Sequence, residues 1–128
     1  MNQGSRTNPT RSEDKRAEAL TKAALEAARL LGLSQDELCS LLGIQKGAAA
    51  AMRKGERAVD GINGEAERAD ALVRLVKRLH TLLGAGETDW RSWIRKDNAA
   101  FGCRPLDILL QRDGPMKVAQ FLERADSL

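Results

Sequence analysis

The sequence predicts an all-α fold. Ala, Leu, Glu, Lys and Arg recur along its 128 residues, and these residue types favour helices. Tyrosine is absent, β-branched residues are few, and no segment alternates apolar and polar residues as a half-buried strand would. A chain of this length is expected to form one compact domain, or two very small helical units that share a core.

The first predicted helix follows a segment that has little to bury. Residues 1–12 are expected to form a disordered tail. Ser12, Glu13 and Asp14 predict a helix start, with the acidic side chains near the positive end of the helix dipole, and Gly32 predicts the helix end. The apolar face of this helix is formed by Leu20, Ala24, Ala27 and Leu31.

Two short helices and a connector are predicted next. Ser34 and Glu37 have the spacing of a capping box, in which the serine bonds forward to the backbone and the glutamate bonds back. They predict a helix over residues 35–42. A second short helix covers about 46–54, and residues 56–64 form a connector.

Four more helices are predicted in the rest of the chain. A long helix covers about 65–83 and carries a broad apolar stripe. Trp90 and Trp93 lie one turn apart in the next helix, Pro105 opens a short one, and the last follows the break at 113–115 and runs to the end of the chain. The stripe consists of Leu72, Leu75, Val76, Leu79, Leu82 and Leu83.

Segment 34–55 has the length of a DNA-binding helix-turn-helix, and its helix-starting and helix-ending residues have the matching positions. Gly43 allows the positive φ that the tight turn needs, and Ile44 would fill the angle between the two helices. Ala49 and Met52 are expected to face the core. The residues predicted to contact DNA are Gln45, Lys46, Gly47, Ala50, Arg53, Lys54 and Arg57.

This segment resembles the Xre/Cro type of helix-turn-helix. The agreement lies in Ser34, Glu37, Leu38, Leu41, Leu42, Gly43, Ile44 and Gly55. Residues 47–51 depart from the pattern, because they offer methyl groups where base-reading proteins carry polar side chains. The charge of the segment favours contacts with DNA phosphates. Its local net charge is about +3, from Lys46, Arg53, Lys54 and Arg57 against Glu56. One such patch binds DNA weakly, so a homodimer with two patches is expected.

The last third of the chain carries a second pattern. From Trp93 onward it reads W-x4-N-x2-F-G-x2-P-L-x2-L-x4-G-x3-V-x3-L. Over roughly residues 86–124 this order resembles the toxin-binding domain of the Xre/MbcA/ParS antitoxins. Those proteins neutralise toxins of the RES-domain type, ADP-ribosyltransferase-like enzymes that consume or transfer from NAD. The resemblance implies that residues 13–64 bind promoter DNA of the chain's own operon, and that residues 65–128 bind a RES-domain toxin and block its cleft.

Candidate toxin contacts come from this resemblance and from residue type. In the family the C-terminal region lies against the toxin and can obstruct its active site. An exposed tryptophan is a typical interface anchor, which favours Trp90, whereas Trp93 and Phe101 are expected to form core. The stripe of the long helix would serve either a homodimer or packing within the chain. The candidate contacts are Trp90, Arg104, Leu122, Arg124, Asp126 and Leu128.

Neither catalysis nor a cofactor is expected. His80 is the sole histidine and has no metal-site partner in sequence, and Cys39 and Cys103 are expected to be buried free thiols in a reducing cytosol. The chain has no run near the length of a membrane span and no signal peptide, which favours the cytoplasm.

Two other functions stay open at this point. One is a helix-turn-helix transcriptional repressor whose C-terminal domain only dimerises. The other is a pure inhibitor whose alanine-rich helix no longer binds DNA.

Overall fold

The structure, a computed structural model, describes residues 11–128 and confirms the all-α prediction. Within that range it has seven α-helices and one 3₁₀ turn, Ile62–Gly64, with no strand beyond an isolated bridge between Asn98 and Cys103. The helices are α1 (Arg11–Leu30), α2 (Gln35–Leu42), α3 (Lys46–Arg53), α4 (Glu65–Leu83), α5 (Glu87–Arg95), α6 (Pro105–Leu109) and α7 (Gly114–Arg124).

Two predicted boundaries need correction, and the connector has more structure than predicted. Helix α1 begins at Arg11, so Ser12 lies in its first turn and does not precede it, while the rest of the predicted tail, residues 1–10, lies outside the described residues. Helix α7 ends at Arg124 and does not continue to residue 128. The connector contains the 3₁₀ turn, where Asn63 has a φ of 58°.

One hydrophobic core includes residues from both predicted regions. Helix α4 lies at its centre and packs against α1 on one side and α7 on the other. Leu31, Leu38, Leu72 and Leu122 are all completely buried members of this one cluster. The stripe of α4 is therefore used mainly within the chain, since its residues Leu72, Leu75 and Leu79 are fully enclosed.

Arginine side chains cap the ends of helices that are distant in sequence. The Arg91 guanidinium donates to the carbonyl oxygen of Leu30 at 3.0 Å, so α5 caps the last turn of α1. Arg78 of α4 donates to the carbonyl oxygens of Leu122 at 3.0 Å and Ala125 at 2.7 Å, which caps α7. The last carbonyls of a helix lack partners inside it, so these bonds satisfy the helix ends, and the Arg91 bond also joins the two predicted regions.

No helix between Arg11 and Leu128 is long and apolar enough to cross a membrane. Both cysteines are free thiols, as predicted. Cys39 is buried, and this burial raises the pKa of its thiol, while Cys103 is only half-buried.

Candidate functional site

Helices α2 and α3 are joined by a short turn whose geometry follows the sequence. Ser34 Oγ accepts from the Glu37 N–H at 3.1 Å, and a Glu37 carboxylate oxygen accepts from the Ser34 N–H at 2.8 Å, so the predicted capping box is formed. Gly43 has a φ of 73°, and its N–H donates to the Cys39 carbonyl at 2.8 Å. The left-handed conformation ends α2 and turns the chain into α3.

Helix α3 is anchored by one face and open on the other. Ala49 is completely buried and Met52 is nearly so, which confirms the predicted inward face. Ala50 is half-buried. The exposed side of α3 and its flanks carry Gln45, Lys46, Gly47, Arg53 and Lys54. The helix therefore presents a polar and basic surface at both of its ends, with small side chains between.

Most cations on this surface remain available to a ligand. Lys46 Nζ lies 3.4 Å from Asp36 Oδ1, but both side chains are about three-quarters exposed, so the pair is weak. Arg53 and Lys54 form no ion pair with any of the described residues. Lys22 of α1 lies beside them, because it lines the same open cavity of about 340 Å³ between α1 and the end of α3. Sequence reasoning missed Lys22, which is 31 residues before Arg53.

Arg57, one of the residues predicted to contact DNA, forms an ion pair within the chain. Its two terminal nitrogens donate to both carboxylate oxygens of Glu65, at 3.0 and 2.9 Å, and the Glu65 side chain is only 10% exposed. The Glu65 carboxylate raises the pKa of Arg57. The pair joins the connector to α4 and neutralises the charge of Arg57 within the chain.

Two of the predicted toxin contacts lie in the core. Trp90 is 5% exposed and its indole N–H donates to the Gly84 carbonyl at 2.9 Å, so the prediction of an exposed anchor is wrong. Leu122 is completely buried and cannot contact a partner while the chain is folded. Both errors arise from the same cause, since a helical pattern does not say which side of α5 or α7 meets α4.

Three other aromatic rings of this region lie in a row at the surface. Trp93 and Phe101 pack edge to face with their centroids 6.4 Å apart, and Phe121 follows Phe101 at 4.7 Å. All three side chains are half-buried against the core, although Trp93 and Phe101 were expected to be enclosed. We call Trp93, Phe101 and Phe121 the aromatic row.

The remaining predicted toxin contacts differ in whether their side chains are paired within the chain. Arg124, Asp126 and Leu128 are exposed, and Leu128 is one of the two exposed large apolar side chains in residues 11–128. Arg124 and Phe121 line an open cavity of about 350 Å³, which joins this end of the chain to the aromatic row. Arg104 is half-exposed, but it makes a two-pronged pair with Asp107 at 2.7 and 3.2 Å.

The Asn, Gly and Pro residues of the resembling pattern form turns and helix starts in this segment. Asn98 accepts from the Gly102 N–H through its backbone at 2.9 Å and from Ala100 through its side chain at 2.9 Å. Gly102 has a φ of 72°, and Pro105 begins α6. Gly114 packs so closely that a Cβ atom there would overlap the carbonyl of Ile108, a reason for glycine that the sequence did not reveal.

A further group of polar residues meets beside the turn between α2 and α3. Arg68 of α4 is 6% exposed, and its Nε donates to the Leu42 carbonyl at 3.0 Å. It lines an open cavity of about 430 Å³ together with Ser40, Gly43, Asn63 and Arg112. These positions are far apart in the sequence, and no local pattern indicates that they meet.

In the described part of the chain, no three His, Cys, Asp or Glu side chains are grouped as a metal site would require. His80 is exposed, with its ring centroid 5.7 Å from that of Trp90. Compared with known proteins, the chain matches no protein-family model, and no curated sequence matches it significantly.

Proposed function

We propose that this chain is the cytoplasmic antitoxin of a type II toxin–antitoxin pair. It binds the promoter of its own operon through the helix-turn-helix formed by α2 and α3. It also binds a RES-domain toxin through α5, α6 and α7 and blocks that enzyme's NAD cleft without catalysing a reaction itself. The observation that carries the proposal is the aromatic row, because the segment with the resembling pattern holds three large, half-buried rings side by side at the surface.

DNA binding is supported by the shape and charge of α3. One face is fixed in the core by Ala49 and Met52, so the other projects as a rigid unit. Lys46, Arg53 and Lys54 are exposed there, and exposed cations are the groups that bind phosphates. The alanines of α3 favour contacts with thymine methyl groups over hydrogen-bonded base reading. We therefore expect a modest sequence preference and a strong dependence on salt.

Toxin binding is supported by the surface around Phe121. Half-buried aromatic rings next to exposed charged side chains are the usual composition of an interface core and its rim. Arg124, Asp126 and Leu128 form that rim in the proposed complex. The interface is expected to bury about 1,200–2,000 Å² in total, the range of stable protein complexes.

The test is co-expression of the chain with the protein encoded beside it, with growth and cellular NAD as readouts. The full chain is compared with a version that ends after Ala125 and with a Phe121→Ser variant. The truncation must stop there because Leu122 is core and the Ala125 carbonyl accepts from Arg78. Restoration of growth and NAD by the full chain, and loss of protection in Phe121→Ser, is the expected result.

Three other results separate the alternatives. Full protection by the truncated form would assign inhibition to the aromatic row and none of it to residues 126–128. No toxic neighbour and no NAD effect, with promoter binding intact, would leave a transcriptional repressor that only dimerises. Protection by a chain whose affinity for its promoter equals that for unrelated DNA would leave a pure inhibitor.

A further inference from the structure

The cavity beside the turn between α2 and α3 has an unusual charge balance. It is lined by the side chains of Arg68 and Arg112 and by no carboxylate. Neither arginine forms an ion pair with a carboxylate anywhere in residues 11–128. Two cations therefore border about 430 Å³ of open space without an anionic partner among the residues that the structure describes.

Arg68 is the buried member of this pair. Only 6% of its surface is exposed, and a buried charge is costly unless polar partners surround it. Its Nε donates to the Leu42 carbonyl at 3.0 Å and one terminal nitrogen donates to the Asn63 carbonyl. Leu42 lies at the negative end of α2 and Asn63 lies in the connector, and both carbonyl oxygens carry only partial charges. The other terminal nitrogen, Nη1, donates to no described residue, so the guanidinium keeps an unused donor.

The other lining groups also have free hydrogen-bonding capacity. Arg112 is exposed and makes no hydrogen bond to the described residues, and neither does the side chain of Ser40. Gly43 leaves the cavity open, since a Cβ atom there would lie 2.8 Å from an Arg68 nitrogen. A guanidinium presents a planar fork of donors that matches the oxygens of a phosphate better than it matches a spherical anion.

We propose that Arg68, Arg112 and Ser40 form a binding site for a phosphate group. Two sources share this chemistry, a backbone phosphate of bound DNA and a free phosphorylated molecule. The cavity borders Gly43, and a neighbouring cavity lined by Gly43 continues to Gln45 and Gly47 at the start of α3. A duplex lying on α3 would thus place its backbone near the site, and this part of the proposal rests on the proposed DNA-binding function.

The site would join the two halves of the chain. Arg112 belongs to the loop between α6 and α7, in the region proposed to bind the toxin, whereas Gly43 belongs to the region proposed to bind DNA. A partner seated near this loop would then compete with DNA for Arg112.

The test uses the full chain, Arg112→Gln, and the control variant Arg16→Gln, which removes an exposed arginine of α1 that has no ion pair with the described residues. Binding of inorganic phosphate is followed by the amide NMR signal of Gly43, against chloride at equal ionic strength. Binding of a mixed-sequence DNA duplex is measured at several salt concentrations. Arg68→Lys is a second variant. If it does not fold, the measurements on Arg112→Gln decide the outcome by themselves.

We expect Arg112→Gln to weaken phosphate binding by about tenfold, the effect of one charge-assisted hydrogen bond. If DNA is the source, the slope of log affinity against log salt falls by about one in Arg112→Gln. The slope must fall by more in Arg112→Gln than in Arg16→Gln. That result, even without a change in binding of inorganic phosphate, would support the site and identify its ligand as a backbone phosphate of DNA. Loss of phosphate binding with an unchanged DNA slope would support it with a free ligand.

The proposal is overturned if Arg112→Gln matches Arg16→Gln in both arms. Normal DNA binding in that case would leave the proposed function intact and remove only the site. Phosphate binding by a chain that binds no DNA would do the reverse, since the site would stand and the DNA-binding function would fail.

Discussion

The Nε atom of Arg68 donates to the carbonyl oxygen of Leu42 at 3.0 Å, so α4 caps the end of α2 across 26 positions of sequence. A second bond from the same guanidinium reaches Asn63 in the connector. Gly43, the residue after Leu42, has a positive φ, which ends α2. It also has no side chain, which lets the guanidinium approach. One buried arginine therefore ties the end of α2 to both α4 and the connector.

Replacement of Arg68 by lysine is expected to lower the free energy of unfolding by about 1–3 kcal/mol, the cost of leaving a buried acceptor without its donor. A single ammonium group cannot reproduce the planar fork that serves both carbonyls. Urea denaturation measures the change, and Arg112→Lys is the control because Arg112 is exposed. Equal stability of Arg68→Lys and the parent chain would mean that the cap is not needed.

Gly114→Ala is expected to destabilise the chain by about 3 kcal/mol, because the new Cβ would overlap the Ile108 carbonyl and push α6 away from α7. Gly47→Ala is the matched substitution, since nothing lies within 4 Å of a Cβ there. That change is expected to stabilise α3 by about 0.4–1 kcal/mol through the unfolded state. Thermal unfolding of both variants checks the contrast, and similar melting temperatures would contradict it.

The sequence predicted local features and the inward faces of α1, α3 and α4 well, and the facing of α5 and α7 poorly. The capping box at Ser34, the turn at Gly43 and the span of α4 are written in neighbouring residues, and the structure has them as predicted. The exposure of Trp90 and Leu122 was predicted wrongly, because each lies on a helix whose buried side is chosen by contacts with distant segments. Which cations stay free is likewise a matter of tertiary contacts.

Acid is expected to remove the contribution of Glu37 to stability. Its carboxylate accepts from Arg95 at 2.9 Å and from the Ser34 N–H, and the Arg95 bond is the main cause that lowers the Glu37 pKa below its ordinary value of 4.5. A group whose pKa is lower in the folded state stabilises the fold at pH values above its unfolded-state pKa. This stabilisation is lost as the pH falls through the folded-state pKa.

Glu37→Gln should therefore cost about 1 kcal/mol at pH 7, and that difference from the parent chain should vanish well below pH 4.5. Urea denaturation at a series of pH values measures it. Glu56→Gln serves as the control, because Glu56 is exposed and forms no ion pair within residues 11–128. A difference that persists unchanged in acid would rule out the ion pair with Arg95 as its source.

Arg53 and Arg57 are expected to respond to the same substitution in opposite ways, although both were predicted from the sequence to contact DNA. Arg57→Gln leaves the nearly buried Glu65 carboxylate without its partner, which is expected to lower the free energy of unfolding by roughly 2–4 kcal/mol. Arg53→Gln removes an exposed cation with no internal partner, so stability should change by less than about 0.5 kcal/mol.

Affinity for promoter DNA is expected to show the reverse order. Arg53→Gln should weaken binding and reduce the salt slope by about one, since a phosphate contact is lost. Arg57→Gln, measured at a temperature where it is folded, should keep the parent slope because its charge is already neutralised by Glu65. A reduced slope for Arg57→Gln in the folded state would show that DNA draws Arg57 away from Glu65, and Arg57 would then return to the DNA-binding surface.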